Sequence, residues 1–336
     1  MSTQPVRCRS VSVVTPILNE QECLEAYYQR TTAVLTTLGL DDYEIIIVDD
    51  GSTDRTPALL KQLAATDPHV KVITLSRRFG HHPAVFAGLE FATGDVVVII
   101  DGDLQDPPEL IPALLTERDK GYELVFAQRT ETHPGGLILR VLKRQFRQMM
   151  RRLANIEFPD NVGVFSAMDR SLKDVLLQMP ERERYLVAMQ MYIGFRVGFV
   201  AYARNDRHGG RPKQNLGRLL RLGMNSIFSY SSLPLRLSAI ACLFCLLLAG
   251  LGMAFVLYAR LVTGVAIVGW ASVMTAVLGM GAIQLFSLWI VSEYVDRIFE
   301  NTKSRPYFIV RHVVGERGIA VSAPIGSVTA PAGRAM

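Results

Sequence analysis

Cysteine is scarce. Cys8, Cys23, Cys242 and Cys245 are the only four in 336 residues, and their spacing builds neither a disulfide framework nor a zinc site. Cys242 and Cys245 form a C-x-x-C only inside an apolar run, where packing is the expected role. A small disulfide-stapled domain is therefore excluded, and a reducing compartment is expected. No G-x-G-x-x-G follows the first strand-like segment, and no Walker A sequence occurs. A Rossmann dinucleotide site and a P-loop both lose their support. Met1 to Ser10 has no apolar h-region, so no signal peptide is expected. Charge is missing from two long stretches, Leu237 to Ala259 and Leu261 to Ser292, with Arg260 between them. Each exceeds the roughly 20 apolar residues that a membrane span needs. Two spans are predicted.

What is present is organised around Asp95 to Glu109. The β-branched run Val96 to Ile100 leads into Asp101-Gly102-Asp103. An unbroken run of this kind reads as a strand buried on both faces of a parallel sheet. Ligands in open α/β sheets sit at the carboxyl ends of strands. Residues i and i+2 of a strand share a face, so Asp101 and Asp103 can converge on one point. Two convergent carboxylates suit a hard divalent cation, Mg²⁺ or Mn²⁺, that takes the rest of its shell from phosphates and water. An Asp/Gly turn alone would look the same, so the rest of the chain must decide.

Strands are predicted at Ser10–Pro16, Tyr43–Val48, Val70–Leu75, Val96–Ile100 and Tyr122–Ala127. Helices are predicted at Glu22–Leu38, Pro57–Ala65, Ala84–Ala92 and Pro108–Lys120. This alternation means a doubly wound α/β sheet. Asn161–Arg170 reads as a strand and turn returning to the sheet, Leu172–Gln178 as helical and Ile193–Ala203 as strand-rich. Asp49 and Asp50 end the second strand as Asp101 and Asp103 end the fourth, which makes a pocket for a polar ligand such as a nucleoside.

Positive charge is clustered. Arg140, Lys143, Arg144, Arg147, Arg151 and Arg152 fall in a segment with no acid from Arg140 to Ile156. Its apolar residues fall mostly on one helical face, as in helices that lie on anionic lipid or grip a phosphate headgroup. A nucleic-acid role fits poorly beside membrane spans and an acidic metal site. Arg204 to Lys213 reads as a second cationic segment, in a loop. Leu216 to Tyr230 reads as an amphipathic helix leading into the first span. Basic residues flank the pair of spans on both outer sides, so both chain ends and the soluble domain are expected in the cytoplasm. The domains expected are residues 1–215, catalytic; 216–232, interfacial; 233–292, two spans; and 293–336, a tail disordered at its end.

Several motifs together resemble glycosyltransferase family 2, in the branch that charges polyprenyl phosphates with a single sugar. They are Val14-Thr15-Pro16-Ile17-Leu18-Asn19-Glu20, Ile47-Val48-Asp49-Asp50-Gly51-Ser52-Thr53-Asp54 and Leu75-Ser76-Arg77-Arg78-Phe79-Gly80. Asp101-Gly102-Asp103-Leu104-Gln105-Asp106-Pro107-Pro108, Arg204-x-x-Arg207-x-x-Gly210 with Lys213, and Glu293-Tyr294 to Arg305-Pro306 complete the set. The resemblance covers about residues 11 to 311. It implies a GT-A fold with a mixed sheet, a nucleotide-sugar donor and inversion at the anomeric carbon. By the same resemblance, Pro16, Asn19, Glu20, Asp49, Asp50, Arg77 and Gly80 lie at the donor. Asp101, Asp103 and Gln105 hold metal and diphosphate. Arg129 faces the diphosphate or the lipid phosphate. Arg204, Arg207 and Lys213, with Arg140 and Arg144 of the basic segment, serve the acceptor phosphate.

Three positions depart from the family pattern. Gly102 stands where Ala is frequent, which the sequence alone treats as harmless. Arg78 replaces a frequent Asn. Val164 stands where many relatives have an acidic or hydroxyl residue near the acceptor, and Asp160 is the nearest substitute for a catalytic acid or base. The chemistry tolerates that loss. A phosphate monoester has a second pKa of about 6 and is mostly dianionic at neutral pH, so this nucleophile need not lose a proton.

The expected reaction is transfer of one hexose to undecaprenyl phosphate at the inner membrane for cell-envelope glycan decoration. UDP-glucose is the first choice of donor; GDP-mannose, a UDP-N-acetylhexosamine and an aminoarabinose nucleotide stay open. A processive polysaccharide synthase is disfavoured, because Trp270 and Trp289 both sit in apolar runs and no Gln-x-x-Arg-Trp occurs. A membrane scaffold with a degenerate transferase domain is opposed by the intact acidic motifs. The sequence is compatible with a homo-oligomer and does not report oligomeric state.

Overall fold

A computed structural model describes residues 9–130, 159, 161–179, 184–203, 269–303 and 305–315, with scattered positions between 240 and 262. The chain divides into two compact units. One comprises Met1–Leu142, Ile156–Pro212 and Ser304–Met336; the other comprises Lys143–Asn155 and Lys213–Lys303.

The first unit is built on an eight-stranded mixed sheet. Its strands are β1 Ser10–Ile17, β2 Asp42–Asp49, β3 Val70–Leu75, β4 Val96–Ile99, β5 Leu124–Arg129, β6 Val162–Asp169, β7 Val197–Tyr202 and β8 Val310–Val314. Their order is β7-β5-β6-β4-β1-β2-β3-β8. β1 pairs in parallel with β2 and β4, and β2 with β3. β6 runs antiparallel between β4 and β5, while β7 is parallel to β5. β4, β5 and β7 therefore end at the same edge of the sheet, and β6 begins there. β8 closes the far edge antiparallel to β3.

Both faces of the central strands are covered, which is why they read as continuous apolar runs. On one face Val14, Ile46, Val48 and Ile73 pack under α3 (His81–Phe91), α5 (Arg170–Gln178) and α6 (Leu186–Tyr192). On the other, Val13, Ile45, Ile47 and Val98 pack under α1 (Leu24–Thr37), α2 (Thr56–Thr66) and α4 (Ile111–Arg118). α1 buries Leu24, Tyr27, Thr31 and Leu35, a stripe at helical spacing. α3 packs tightly on the sheet, since a Cβ on Gly88 would come within 2.3 Å of Val14 Cγ1.

The sequence reading differs at three places. The helix expected at Pro108–Lys120 opens with a 3-10 turn over Pro108–Leu110 before α4 begins. α6 had no counterpart in the sequence reading. The stretch expected as a tail from residue 293 holds the end of a helix and then β8. Phe308, Val310 and Val313 are buried there, an apolar set that needs the sheet edge for cover.

The second unit contains α7, Trp270–Thr302, 33 residues long. Leu285, Phe286, Leu288, Trp289, Val291, Val295, Ile298 and Phe299 are exposed on it. Among the described residues no helix is long and apolar enough to cross a membrane. Most of the first uncharged stretch, the basic helix expected at Arg140–Arg152 and the interfacial helix expected at 216–232 lie outside the described residues.

Candidate functional site

The site forms where β1, β2, β4, β5 and β7 end. The chain turns out of β1 at Leu18–Glu20, out of β2 at Asp50–Arg55 and out of β3 at Ser76–Gly80. Side-chain-to-backbone bonds lace these three loops together. Asn19 sits at φ 57°, a left-handed conformation that asparagine tolerates. Its Oδ1 accepts from Thr53 N at 2.8 Å, and its own N–H donates to Ser52 Oγ at 2.9 Å. Glu20 N donates to Thr56 Oγ1 at 3.1 Å.

Asp49 and Asp50 are buried but turned to different tasks. Asp49 Oδ1 accepts from Ser52 N at 2.9 Å. Asp50 accepts from Phe79 N at 2.6 Å with Oδ1 and from Gly80 N at 2.9 Å with Oδ2. Asp50 thus braces the loop that opens α3. Gly51 permits this close approach, since a Cβ there would lie 2.9 Å from Arg78 N, and its φ is +80°. The brace presents His81, the first residue of α3, to the metal motif. Its Nε2 stands 3.5 Å from Asp101 Oδ1.

Asp101 and Asp103 follow β4 directly. Asp103 Oδ1 accepts from Gln105 N at 3.1 Å, which closes the turn on itself. Leu104 holds φ 57° within that turn. Gly102 packs against β1, where a Cβ would meet Ile17 Cγ2 at 2.7 Å and Thr15 Cγ2 at 3.1 Å. Beneath, Tyr27 Oη bonds Thr15 Oγ1. Burial, with a smaller push from the Asp101 charge, lifts the Tyr27 phenol to about 12. Burial, with the charges of Glu20, Asp103 and Glu22, raises the Cys23 thiol.

Among the described residues no group of three or more His, Cys, Asp or Glu is arranged to hold a metal. That excludes, among those residues, a preformed all-protein cage of the zinc type. Two carboxylates on one turn instead fit Mg²⁺ or Mn²⁺, which bind through one or two carboxylates and complete their shell with substrate phosphates.

Arg129 ends β5 at the same edge. Its Nε donates to Tyr202 Oη at 3.2 Å, and its Nη2 lies 3.7 Å from Asp106 Oδ2. Burial alone would lower the guanidinium pKa; the bond to Tyr202 and the charges of Asp106 and Asp101 outweigh it and raise it. Tyr202 Oη donates to the fully buried Asp106. Burial, then that bond, lifts the phenol to about 12.

Arg77 lies apart from this group. It lines a cavity of about 660 Å³ beside Asp49, Ser52, Lys61, Arg311 and His312. Among the described residues no ion pair to a carboxylate forms at Lys61, Arg77 or Arg311. Pro16, Asn19 and Glu20 do not line that cavity. Asp160, Arg140, Arg144, Arg204, Arg207 and Lys213 lie outside the described residues. Sequence reasoning missed His81 and the Asp106–Tyr202 pair. For His81 the signal was adjacency to Gly80 at a helix start; Asp106 was visible only as part of a motif.

The family model for glycosyl transferase family 2 matches residues 12–176. An uncharacterized glycosyltransferase of Synechocystis is 36% identical over 309 residues, covering 91% of this chain and 96% of that one. A prophage bactoprenol glucosyl transferase homolog of Escherichia coli is 33% identical, over 90% of this chain and 99% of its own. The bactoprenol glucosyl transferase of Shigella phage SfX is also 33% identical, over 90% and 98%. Among solved structures, glucosyl-3-phosphoglycerate synthase from Mycobacterium tuberculosis, in complex with Mn²⁺, UDP and phosphoglyceric acid, superposes with a TM-score of 0.50. It is 24% identical and covers 66% of this chain and 78% of that one. That likeness establishes the GT-A fold.

Proposed function

The chain belongs to glycosyltransferase family 2, and from that premise we propose that it transfers one hexose, glucose from UDP-glucose, to undecaprenyl phosphate. The observation that carries the reading is the gathering of the Asp101/Asp103 turn, the laced nucleotide loops and Arg129 at one sheet edge. Near full-length similarity to relatives named for glucosyl transfer to bactoprenol supports the acceptor and the sugar.

A phosphate oxygen of the acceptor attacks the anomeric carbon from the face opposite the leaving group. A carbon–oxygen bond forms there as the bond to the donor β-phosphate breaks. The electron pair leaves with the nucleoside diphosphate, and the configuration inverts. The nucleophile arrives deprotonated, so Val164 in place of an acidic residue removes nothing the step requires. What the chain must supply is position and charge. Asp49, Ser52 and Asn19 shape the nucleotide loops. Asp101 and Asp103, with Gln105, would hold Mg²⁺ or Mn²⁺, and that cation would offset the charge of the departing diphosphate. Arg129 faces the same charge. Arg204, Arg207, Lys213, Arg140 and Arg144 draw in the acceptor phosphate. The two uncharged stretches and their basic flanks support the reading of an inner-membrane anchor with the catalytic unit and both termini on the cytoplasmic side.

The test uses purified protein in detergent with Mg²⁺ or Mn²⁺, undecaprenyl phosphate and a panel of labelled nucleotide sugars, read by thin-layer chromatography. Lipid-soluble label from UDP-glucose, lost with EDTA and in Asp103→Ala, is the expected result. Label from GDP-mannose or another donor alone corrects the sugar. No product from any donor rejects the reaction.

A further inference from the structure

We infer that Asp106 is a positioning residue that, through Tyr202 and Arg129, fixes the Asp101–Asp103 turn against the ends of β5 and β7. The inference rests on the metal-dependent reading above and adds residues that reading does not use. Asp106 is three positions beyond Asp103 and fully buried. Its Oδ1 accepts from Tyr202 Oη at the end of β7, and its Oδ2 faces Arg129 Nη2 at 3.7 Å at the end of β5. The bond from Arg129 Nε to Tyr202 Oη closes a ring of three contacts.

The surroundings are built to hold that ring. Gly163, the second residue of β6, has no side chain, and a Cβ there would come within 2.9 Å of Arg129 Nη2. Phe165 packs edge-on against Tyr202, with ring centroids 6.1 Å apart. A buried carboxylate costs stability unless it is hydrogen-bonded and paired, and even a paired one is often no more stabilising than an apolar residue of similar volume. Keeping Asp106 is therefore better explained by position than by stability. The turn it anchors is short and carries both metal carboxylates. The partner it anchors to stands two residues before Arg204 in the sequence. One contact thus links the donor-side turn to the strand that precedes the cationic acceptor segment.

The experiment compares full-length wild type, Tyr202→Phe and Asp106→Asn in detergent. Mn²⁺ affinity with UDP present is read by electron paramagnetic resonance, sugar transfer by kcat and KM, and fold by thermal melting. Tyr202→Phe keeps the ring against Phe165 and removes only the hydroxyl. It is expected to weaken UDP-dependent Mn²⁺ binding about tenfold, the scale of lost outer-shell support, and to lower kcat. Asp106→Asn keeps an acceptor for Tyr202 but drops the charge facing Arg129; a smaller loss of Mn²⁺ affinity is expected. If either folded variant binds Mn²⁺ and UDP like wild type, even with a lowered melting temperature, Asp106 is a stabilising contact only and the inference falls. A wild type that binds Mn²⁺ with UDP but transfers no sugar counts against the proposed reaction, not against the clamp. A wild type with no UDP-dependent Mn²⁺ binding overturns both.

Discussion

Gly102 separates Asp101 and Asp103, the proposed metal carboxylates, and its neighbours decide what the position tolerates. The family pattern makes alanine look neutral there. In this chain an added Cβ would lie 2.7 Å from a methyl of Ile17, a β-branched side chain with little room to turn away. Gly102→Ala is expected to cost about 1–3 kcal/mol through overpacking and to weaken Mn²⁺ binding, because relief of the clash moves the turn. Melting and Mn²⁺ titration would check this; wild-type values in both would return Gly102 to a neutral substitution. Replacing Ile17 by Val alongside it should not restore the protein, since Val keeps the branched Cγ2. His82 offers a second residue-scale test. Its Nδ1 is buried and has no hydrogen-bond partner among the described residues. Burial first, then the His81 charge, lowers its pKa from 6.5 to about 4. The fold therefore favours the neutral ring. Below pH 6.5 the unfolded chain takes up a proton that the folded chain refuses, so stability falls as pH drops toward 4. The loss is about 2 kcal/mol between pH 7 and pH 5. Denaturant unfolding of wild type and His82→Leu at those two pH values would show it; an equal pH slope in both would refute it.

At the scale of elements, β8 matters most, because it brings residues beyond α7 back to the catalytic sheet. It pairs antiparallel with β3 and covers an edge that would otherwise be open for pairing with another chain. Phe308, just before it, is 2% exposed and packs in the core with Phe86 and Val310. Phe308→Ala should cost about 3–4 kcal/mol and promote aggregation through the freed edge. Denaturant unfolding and light scattering would measure both, and a loss below about 1 kcal/mol would mean the edge is held by backbone pairing alone. This strand also shows where sequence reading stops. β4 was legible because its β-branched run is unbroken, and β3 because Val70, Val72, Ile73 and Thr74 make most of a six-residue segment that turn residues flank. Val310-Arg-His-Val-Val is short and interrupted by two polar residues, and its cover comes from a strand far earlier in the sequence, Val70–Leu75. α6 is seven residues long, too short for a helical period to show. The site divides in the same way. The acids at strand ends could be found locally because each lies beside its own strand. Tyr202 and Asp106 are 96 residues apart, and only the order of strands brings them together.

For the whole molecule, the distribution of charge is more informative than the net value of +5. Acids gather at the catalytic edge, and the densest basic segments, Arg140–Arg152 and Arg204–Lys213, precede the uncharged stretches. The proposed joining of a soluble anionic donor to a lipid phosphate would use this arrangement: carboxylates with a metal for one anion, arginines for the other, and an apolar anchor that confines the second to the membrane surface. The proposed topology is a hairpin with cytoplasmic ends, because the positive-inside rule keeps Arg218, Arg221, Arg236, Arg297, Lys303, Arg305 and Arg311 in the cytoplasm and lets Arg260 alone cross. With Cys8, Cys23, Cys242 and Cys245 replaced by serine or alanine, a single cysteine at Thr263 should react with a membrane-impermeant maleimide on intact cells. One at Ser322 should react only after the membrane is opened. Labelling of both from outside, or of Thr263 only after opening, would overturn the hairpin with cytoplasmic ends. It would also separate the acceptor from the leaflet where the donor is made, so the reaction would need a different route to its lipid.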